Sequence, residues 1–492
     1  MICLAYIDKR KDIKTEFREE ILLNTYKKLI GNSFIFAIGN LGSKLISIIL
    51  VPLYTYYLTT SEYGTVDLIT TTTSLLLPIV SLSIFDAVLR FTMDKSQPTD
   101  SVFTNAIVVT SIGVLIAILS YPILRYLNVF GDLIIFMYAI LILQAFQSLS
   151  AQFIRAIGKV KIFALNGIVM TIVTGVMNIT LLVYLNMGIT GYLLATVFSN
   201  LVSIIYLTIV GKTYRFINFK KINKTLTKKM LVYCIPLIPN ALMWWVMNAS
   251  SRYFILFFVG ASANGLFAVA NKIPSLLSIL NQIFSQAWQL SAIEEFDSKN
   301  KSKFYSEVFN YFSMFMFLGT SAILVVIKIA MDFAVAPEFY NSWRYVPFLL
   351  LGVVFSSFSS FLGTNYIAAK KTSGVFRTSI IGGIVNVISN LIFVTWIGTN
   401  GAGLSTMISF FVIWVIRVYD TKQFIDMKLN LKVLIANLLV IAVQIGVLYV
   451  DFNTVTELVV EGLLFITLLT VNRSLFKPLI QLIKHKKKSR IN

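Results

Sequence analysis

Gly-Asn-Leu-Gly-Ser-Lys-Leu-Ile-Ser, residues 39–47, sets Lys44 near the middle of an otherwise apolar stretch, 32–57, that is long enough to cross a bilayer. A lone ammonium at that depth costs several kcal/mol, so Lys44 is expected to face protein, water or an anionic ligand rather than lipid. The stretch therefore predicts both a membrane span and a polar path beside it. The rest of the chain reads the same way. With 57% hydrophobic and 13% charged residues in 492 positions, it is too apolar to wrap as a soluble globule. Apolar runs of about 20 residues mark fourteen spans, near 32–57, 65–90, 103–124, 132–154, 162–185, 188–210, 232–259, 265–291, 308–332, 344–368, 374–397, 401–419, 431–450 and 454–472.

The basic residues orient these spans, because short cytoplasmic loops retain Lys and Arg. With both termini inside, and residues near the ends of spans counted with the adjoining loops, 36 of the 42 Lys and Arg fall in cytoplasmic segments, and only Arg125 and Arg344 fall in outer loops. Lys44, Arg252, Lys272 and Lys328 lie inside spans. The net charge of +20 is therefore mainly a topology signal. No basic face alternates with aromatics in a soluble segment, which argues against nucleic acid as a partner.

The composition also narrows the chemistry. Residues 8–28 are too densely charged for a cleavable signal and read as a cytoplasmic helix. Cys3 and Cys234 both fall on the cytoplasmic side, and His485, the single histidine, sits in the basic tail. This leaves no basis for a disulfide, a metal site, a cofactor or histidine acid–base catalysis. Every outer loop is short, and the longest, 333–343, carries Glu338 as its one carboxylate. A membrane polymerase or ligase would need a larger outer catalytic loop, so the chain is not read as an enzyme.

An internal repeat implies the architecture. Ser61 and Gly64 recur as Ser262 and Gly265, and Asn178 and Gly191 recur as Asn390 and Gly403. The predicted fold is an all-α integral membrane protein of about fourteen helices, built as two parallel six-helix bundles plus two C-terminal helices. The segments are a cytoplasmic N-terminus, 1–29; an N-lobe, 30–211; a basic linker, 212–230; a C-lobe, 231–420; two further spans, 421–473; and a basic tail, 474–492. Parallel repeats of this kind place a substrate site between the halves and rock around it.

Polar residues inside four spans fall on single helical faces. Asn40, Lys44 and Ser47 line one, and Thr70 and Ser74 a second; Asn240, Asn248 and Arg252 line a third. Asn271, Ser275, Ser278, Gln282 and Gln286 line the fourth. Either these stripes are interhelical hydrogen-bond glue or they line a wet cavity, and the cations Lys44, Arg252 and Lys272 favour the cavity. Such a cavity suits an anion, with Arg gripping a diphosphate bidentately and Lys acting as a point charge. Arg252 and Lys272 have a plainer alternative in bracing backbone carbonyls or snorkelling to headgroups. Asp86 and Arg90, four residues apart, form an ion pair or an inner gate. Asp67 reads as a helix N-terminal charge or a coupling-ion ligand. Lys328 is placed to snorkel, and Glu461 falls in the final span, outside the repeats.

Several motifs together resemble a known family. Gly-Asn-(x)3-Lys (39–44), Val-Pro-Leu-Tyr-Thr (51–55), Glu-Tyr-Gly (62–64) and Ala-Val-Leu-Arg-Phe (87–91) carry the resemblance in the first half. Ser-Arg-Tyr-Phe (251–254), Asn-Gly-Leu-Phe-Ala-Val-Ala-Asn-Lys-Ile-Pro (264–274) and Ala-Pro-Glu-Phe-Tyr (336–340) carry it in the second. The chain resembles the polysaccharide repeat-unit, Wzx-type, flippases of the multidrug/oligosaccharidyl-lipid/polysaccharide (MOP) exporter superfamily, over most of residues 25–420. The resemblance implies a MATE-like fold in the bacterial inner membrane. It also implies transport of undecaprenyl-diphosphate-linked oligosaccharide to the outer leaflet for capsule, exopolysaccharide or O-antigen assembly, beside polymerase and assembly proteins. Lys44, Arg252, Lys272 and Arg90 would then hold the diphosphate. Many relatives have Asp-Arg where this chain has Ser251-Arg252, which removes the expected neutraliser of the arginine. A flippase of peptidoglycan or teichoic-acid precursors and a multidrug–cation antiporter of the same superfamily are the alternatives.

Overall fold

A bilayer leaves backbone groups no water to bond, so a spanning chain of this composition must satisfy them within helices. The computed structural model describes residues 48–94, 97–296, 298–369, 371 and 373–476, and among them the regular structure is entirely helical. Twelve helices are long and apolar enough to cross a membrane, and the bent pair Thr60–Val80 and Ile84–Met93 makes a thirteenth span. Thirteen of the fourteen predicted spans are thus present. The remaining one, 32–57, lies mostly outside the described residues and is represented by helix Val51–Tyr57.

The bent span is broken where Leu82 and Ser83 take left-handed φ values of 48° and 51°. L-residues rarely adopt that conformation, and a helix cannot run through it. The seventh span is longer than its apolar run suggests. It begins at Lys224, where the Asn223 side chain caps the backbone N–H of Thr225 and Leu226, and it is interrupted at Pro236 and Ser250.

The helices form two compact units. The first holds Ile79–Tyr184 and Leu193–Ile235. Its core gathers Ile84, Val88, Phe103, Phe153, Leu226, Met230 and Cys234, with the Phe103 and Phe153 rings stacked 4.2 Å apart. The basic stretch 212–229 is folded onto this unit. Asn105 accepts hydrogen bonds at Oδ1 from the Asn223 N–H (3.0 Å) and the Thr227 hydroxyl (2.8 Å). Lys221 Nζ meets Asp100 at 2.6 Å.

The second unit holds Val51–Pro78, Leu185–Tyr192 and the chain from Pro236 onward. Helix Val346–Ala368 is its most buried element and packs against Lys272–Glu294 and Thr399–Asp420. The last two helices, Leu431–Leu448 and Thr454–Val471, pack on each other and on Lys301–Ala334.

Candidate functional site

The second and seventh spans meet inside the second unit. Arg252, in helix Ser251–Phe258, donates from Nε to Asp67 Oδ2 at 2.5 Å, and its Nη1 donates to the Asn248 carbonyl at 3.1 Å. Both side chains of the ion pair are less than one-fifth exposed, at 14% for Arg252 and 18% for Asp67. The neutraliser that Ser251 cannot supply therefore comes from another helix, 185 residues away. Two further bonds fix the same seam: the Thr72 and Tyr253 hydroxyls lie 2.5 Å apart, and Trp245 Nε1 donates to the Thr71 carbonyl and the Ser74 hydroxyl. Sequence reading missed Trp245, Tyr253, Thr71 and Thr72, because aromatic rings in an apolar helix pass as lipid-facing or core residues and a run of four threonines, 70–73, marks no single helical face.

At the far end of this seam the repeat-related glycines touch. A Cβ on Gly64 would lie 2.1 Å from the Ala261 carbonyl oxygen, and one on Gly265 would lie 1.9 Å from the Thr60 carbonyl oxygen. Asn264 Nδ2 donates to the Gly64 carbonyl, and the Thr60 and Ser262 hydroxyls lie 2.6 Å apart. Close backbone approach at small residues is how helices associate where no hydrophobic force drives them together.

Adjacent to Arg252 the chain turns a second face to a polar cavity of about 180 Å³. Asn248, Ser251, Asn271, Ser275, Ser278 and Asn281 line it from one side, and Ser356, Ser357 and Thr406 from the other. Ser251 is buried, and its hydroxyl makes no hydrogen bond with the described residues. Asn271 and Ser275 bond back to their own helix, Asn271 to the Phe267 carbonyl and Ser275 to that of Lys272. Behind the cavity Asn386 accepts from the Ser250 hydroxyl and donates to Ser409, while Asn390 donates to Asn386. The lining offers hydroxyls and amides without a formal charge.

The other predicted residues fall as follows. Asn240 is half-buried on helix Leu237–Ala249, and Thr70 bonds to the Asp67 carbonyl. Lys272 is half-buried and makes no ion pair with the described residues. Gln282 and Gln286 are exposed on the second unit. Arg90 and Asp86 belong to the first unit, Arg90 exposed and Asp86 half-buried, and no ion pair joins them among the described residues. Asn40, Lys44 and Ser47 lie outside the described residues. Lys328, with a side chain 20% exposed, bonds Glu457 Oε2 through its Nζ at 2.7 Å and lies 4.5 Å from the Trp343 ring centroid.

The fold and sequence have identifiable relatives. The lipid II flippase MurJ, in an inward closed conformation, matches with a TM-score of 0.70 at 15% identity, covering 91% of this chain and 100% of that one. An inward-facing multidrug resistance MATE family transporter of the MOP superfamily matches with a TM-score of 0.66 at 13% identity, over 79% of this chain and 97% of that one. At these identities the likeness is one of fold. An uncharacterized membrane protein of Methanocaldococcus jannaschii is 23% identical over 277 residues, 51% of this chain and 54% of that protein. The chain thus spans about half the length of this curated relative. The family model described as polysaccharide biosynthesis protein matches residues 29–289, which include the Asp67–Arg252 pair and half the cavity lining. By that match over more than half its length, the chain belongs to the polysaccharide biosynthesis protein family.

Proposed function

We propose that this protein flips polyprenyl-diphosphate-linked oligosaccharide repeat units from the inner to the outer leaflet of the bacterial cytoplasmic membrane, supplying capsule, exopolysaccharide or O-antigen assembly. The observation that carries the reading is the Asp67–Arg252 pair beside an uncharged polar cavity. Asp67 keeps the guanidinium neutralised while no substrate is bound. A diphosphate offers more oxygens, and two on one tetrahedral phosphate can take the same two-pronged contact, so it competes with Asp67 for Arg252. Lys272, half-buried on the same unit and without an ion pair among the described residues, supplies further positive charge. The hydroxyls and amides of Asn248, Asn271, Ser275 and Ser278 suit sugar hydroxyls, which need matched hydrogen bonds rather than ions. Thr70, Ser74, Asn240, Gln282 and Gln286 extend that polar path within the second unit, and Asp67 gates it. The polyprenyl tail stays in lipid, so only the headgroup is desolvated.

Both termini are assigned to the cytoplasm from the distribution of Lys and Arg. Transport by alternating access is supported by the fold, which occurs in inward-facing and outward-facing MATE family transporters. Likeness to the lipid II flippase supports a second reading, in which the headgroup belongs to a peptidoglycan or teichoic-acid precursor. One experiment separates them. Lipid extracts of a deletion strain are analysed by mass spectrometry, with surface polymer measured in parallel. Accumulated lipid-linked repeat unit with loss of surface polysaccharide supports the first reading, and an accumulated cell-wall precursor supports the second. An unchanged lipid pool with intact polymer rules out both.

A further inference from the structure

Glu461 sits near the middle of the 18-residue helix Thr454–Val471 and is fully buried. Its Oε2 accepts a hydrogen bond from Gln444 Nε2 at 2.9 Å. Its Oε1 is buried and makes no hydrogen bond with the described residues, and the same holds for Gln444 Oε1. A carboxylate with one neutral donor in an apolar interior is expensive. The two orphaned oxygens belong to the two partners of a single hydrogen bond, and both orphans are acceptors. One proton resolves both: as a neutral acid, Glu461 donates from Oε1 to Gln444 Oε1 and closes a two-bond ring of amide and carboxylic acid.

The remaining groups facing Glu461 sharpen this. Helix Leu431–Leu448 contributes Gln444, helix Lys301–Ala334 contributes Lys328, and Glu457 lies one turn earlier on Glu461's own helix. Lys328 is committed to Glu457 at 2.7 Å. Lysine, one carboxylate and one carboxylic acid sum to zero charge, whereas a second carboxylate would leave a net negative charge in the membrane. The i, i+4 spacing puts Glu457 and Glu461 on one face, so a single lysine can reach either.

We propose that Glu461 is a proton-binding site, protonated in the state described and hydrogen-bonded twice to Gln444. It releases its proton to water when Lys328 passes from Glu457 to Glu461. The site lies outside the Asp67–Arg252 seam and the polar cavity, and the proposal holds whichever lipid is carried.

The test is infrared difference spectroscopy of the full-length protein in lipid nanodiscs at neutral pH, reading the C=O stretch of a protonated carboxylic acid. Wild type is expected to show this band, and Glu461→Gln to lose it. Gln444→Leu keeps the band but moves it to higher frequency, since the carbonyl loses its donor. Lys328→Met leaves the Glu457 carboxylate unpaired and adds a second protonated carboxyl. Glu457→Gln frees Lys328 to pair with Glu461 and removes the band although Glu461 is still present. If Glu461→Gln fails to fold, Lys328→Met and Glu457→Gln decide the question, and opposite shifts of the band support the site. No change in a folded Glu461→Gln, or in both of those variants, overturns it. Loss of the wild-type band on adding sodium at constant pH also overturns it, because the site would then hold a metal cation.

Discussion

Arg252 and Asp67 form an ion pair at 2.5 Å across two helices of one unit, and Arg252 retains a second bond to the Asn248 carbonyl. The arginine is therefore positioned before any ligand arrives, and it is neutralised by a carboxylate from a distant part of the sequence.

Arg252→Ala is expected to abolish flipping while the protein still inserts, measured as accumulation of the lipid-linked precursor with unchanged membrane abundance. Arg252→Lys keeps the charge but loses the planar fork, and partial activity is expected. In thermal melts in detergent, Arg252→Ala and Asp67→Ala should each cost about 2 kcal/mol, because each leaves a half-buried partner unpaired. The double variant should cost clearly less than the two singles together. Strict additivity would show that the pair contributes no coupling.

Gly64 and Gly265 approach too closely for any side chain. Gly64→Ala and Gly265→Ala each drive a methyl group into backbone oxygen, and each should cost about 3 kcal/mol. The expected result is a lower yield of monodisperse protein in fluorescence-detected size exclusion. Gly446→Ala, with nothing within 4 Å of the added carbon, serves as the silent control.

Tyr253→Phe removes one hydroxyl from the seam and leaves the ring packed against Trp245, whose centroid is 5.7 Å away. The expected loss is about 1 kcal/mol in the melt, with flipping near wild type. A loss of flipping as deep as that of Arg252→Ala would make the hydroxyl a functional group rather than a brace.

Asn105 ties the basic stretch to the first unit through the Asn223 N–H and the Thr227 hydroxyl. Asn105→Ala should loosen residues 212–229 and speed tryptic cleavage at the lysines there, such as Lys221, Lys224 and Lys228. Equal cleavage rates in variant and wild type would show that the segment is held by its other contacts, the Lys221–Asp100 pair among them.

The spans were legible because a bilayer fixes the length of an apolar helix, and the predicted 431–450 and 454–472 appear as Leu431–Leu448 and Thr454–Val471. Breaks were less legible. Nothing in Leu82-Ser83 signals a left-handed turn by composition, and Lys224 begins its helix among charges that hydropathy assigns to a loop. The polar face carrying Asn271, Ser275 and Ser278 was readable from spacing, since periodicity specifies a face. What that face meets is a long-range matter. The pairing of Asp67 with Arg252, and of Lys328 with Glu457, depends on contacts 185 and 129 residues apart that local pattern does not encode. Gly64 and Gly265, matched by the repeat as equivalents, are also neighbours, which the match by itself did not imply.

That contact also offers an experimental handle. Thr60 and Ser262 present side-chain oxygens 2.6 Å apart beside the two glycines, and the chain's own cysteines are limited to Cys3 and Cys234. Thr60→Cys with Ser262→Cys would place two thiols within bonding reach, giving a clasp that oxidation fastens and a reductant undoes. Flipping that survives the closed clasp would mean that this junction stays shut through every turnover, and reversible arrest would mean that each lipid passing through requires it to part.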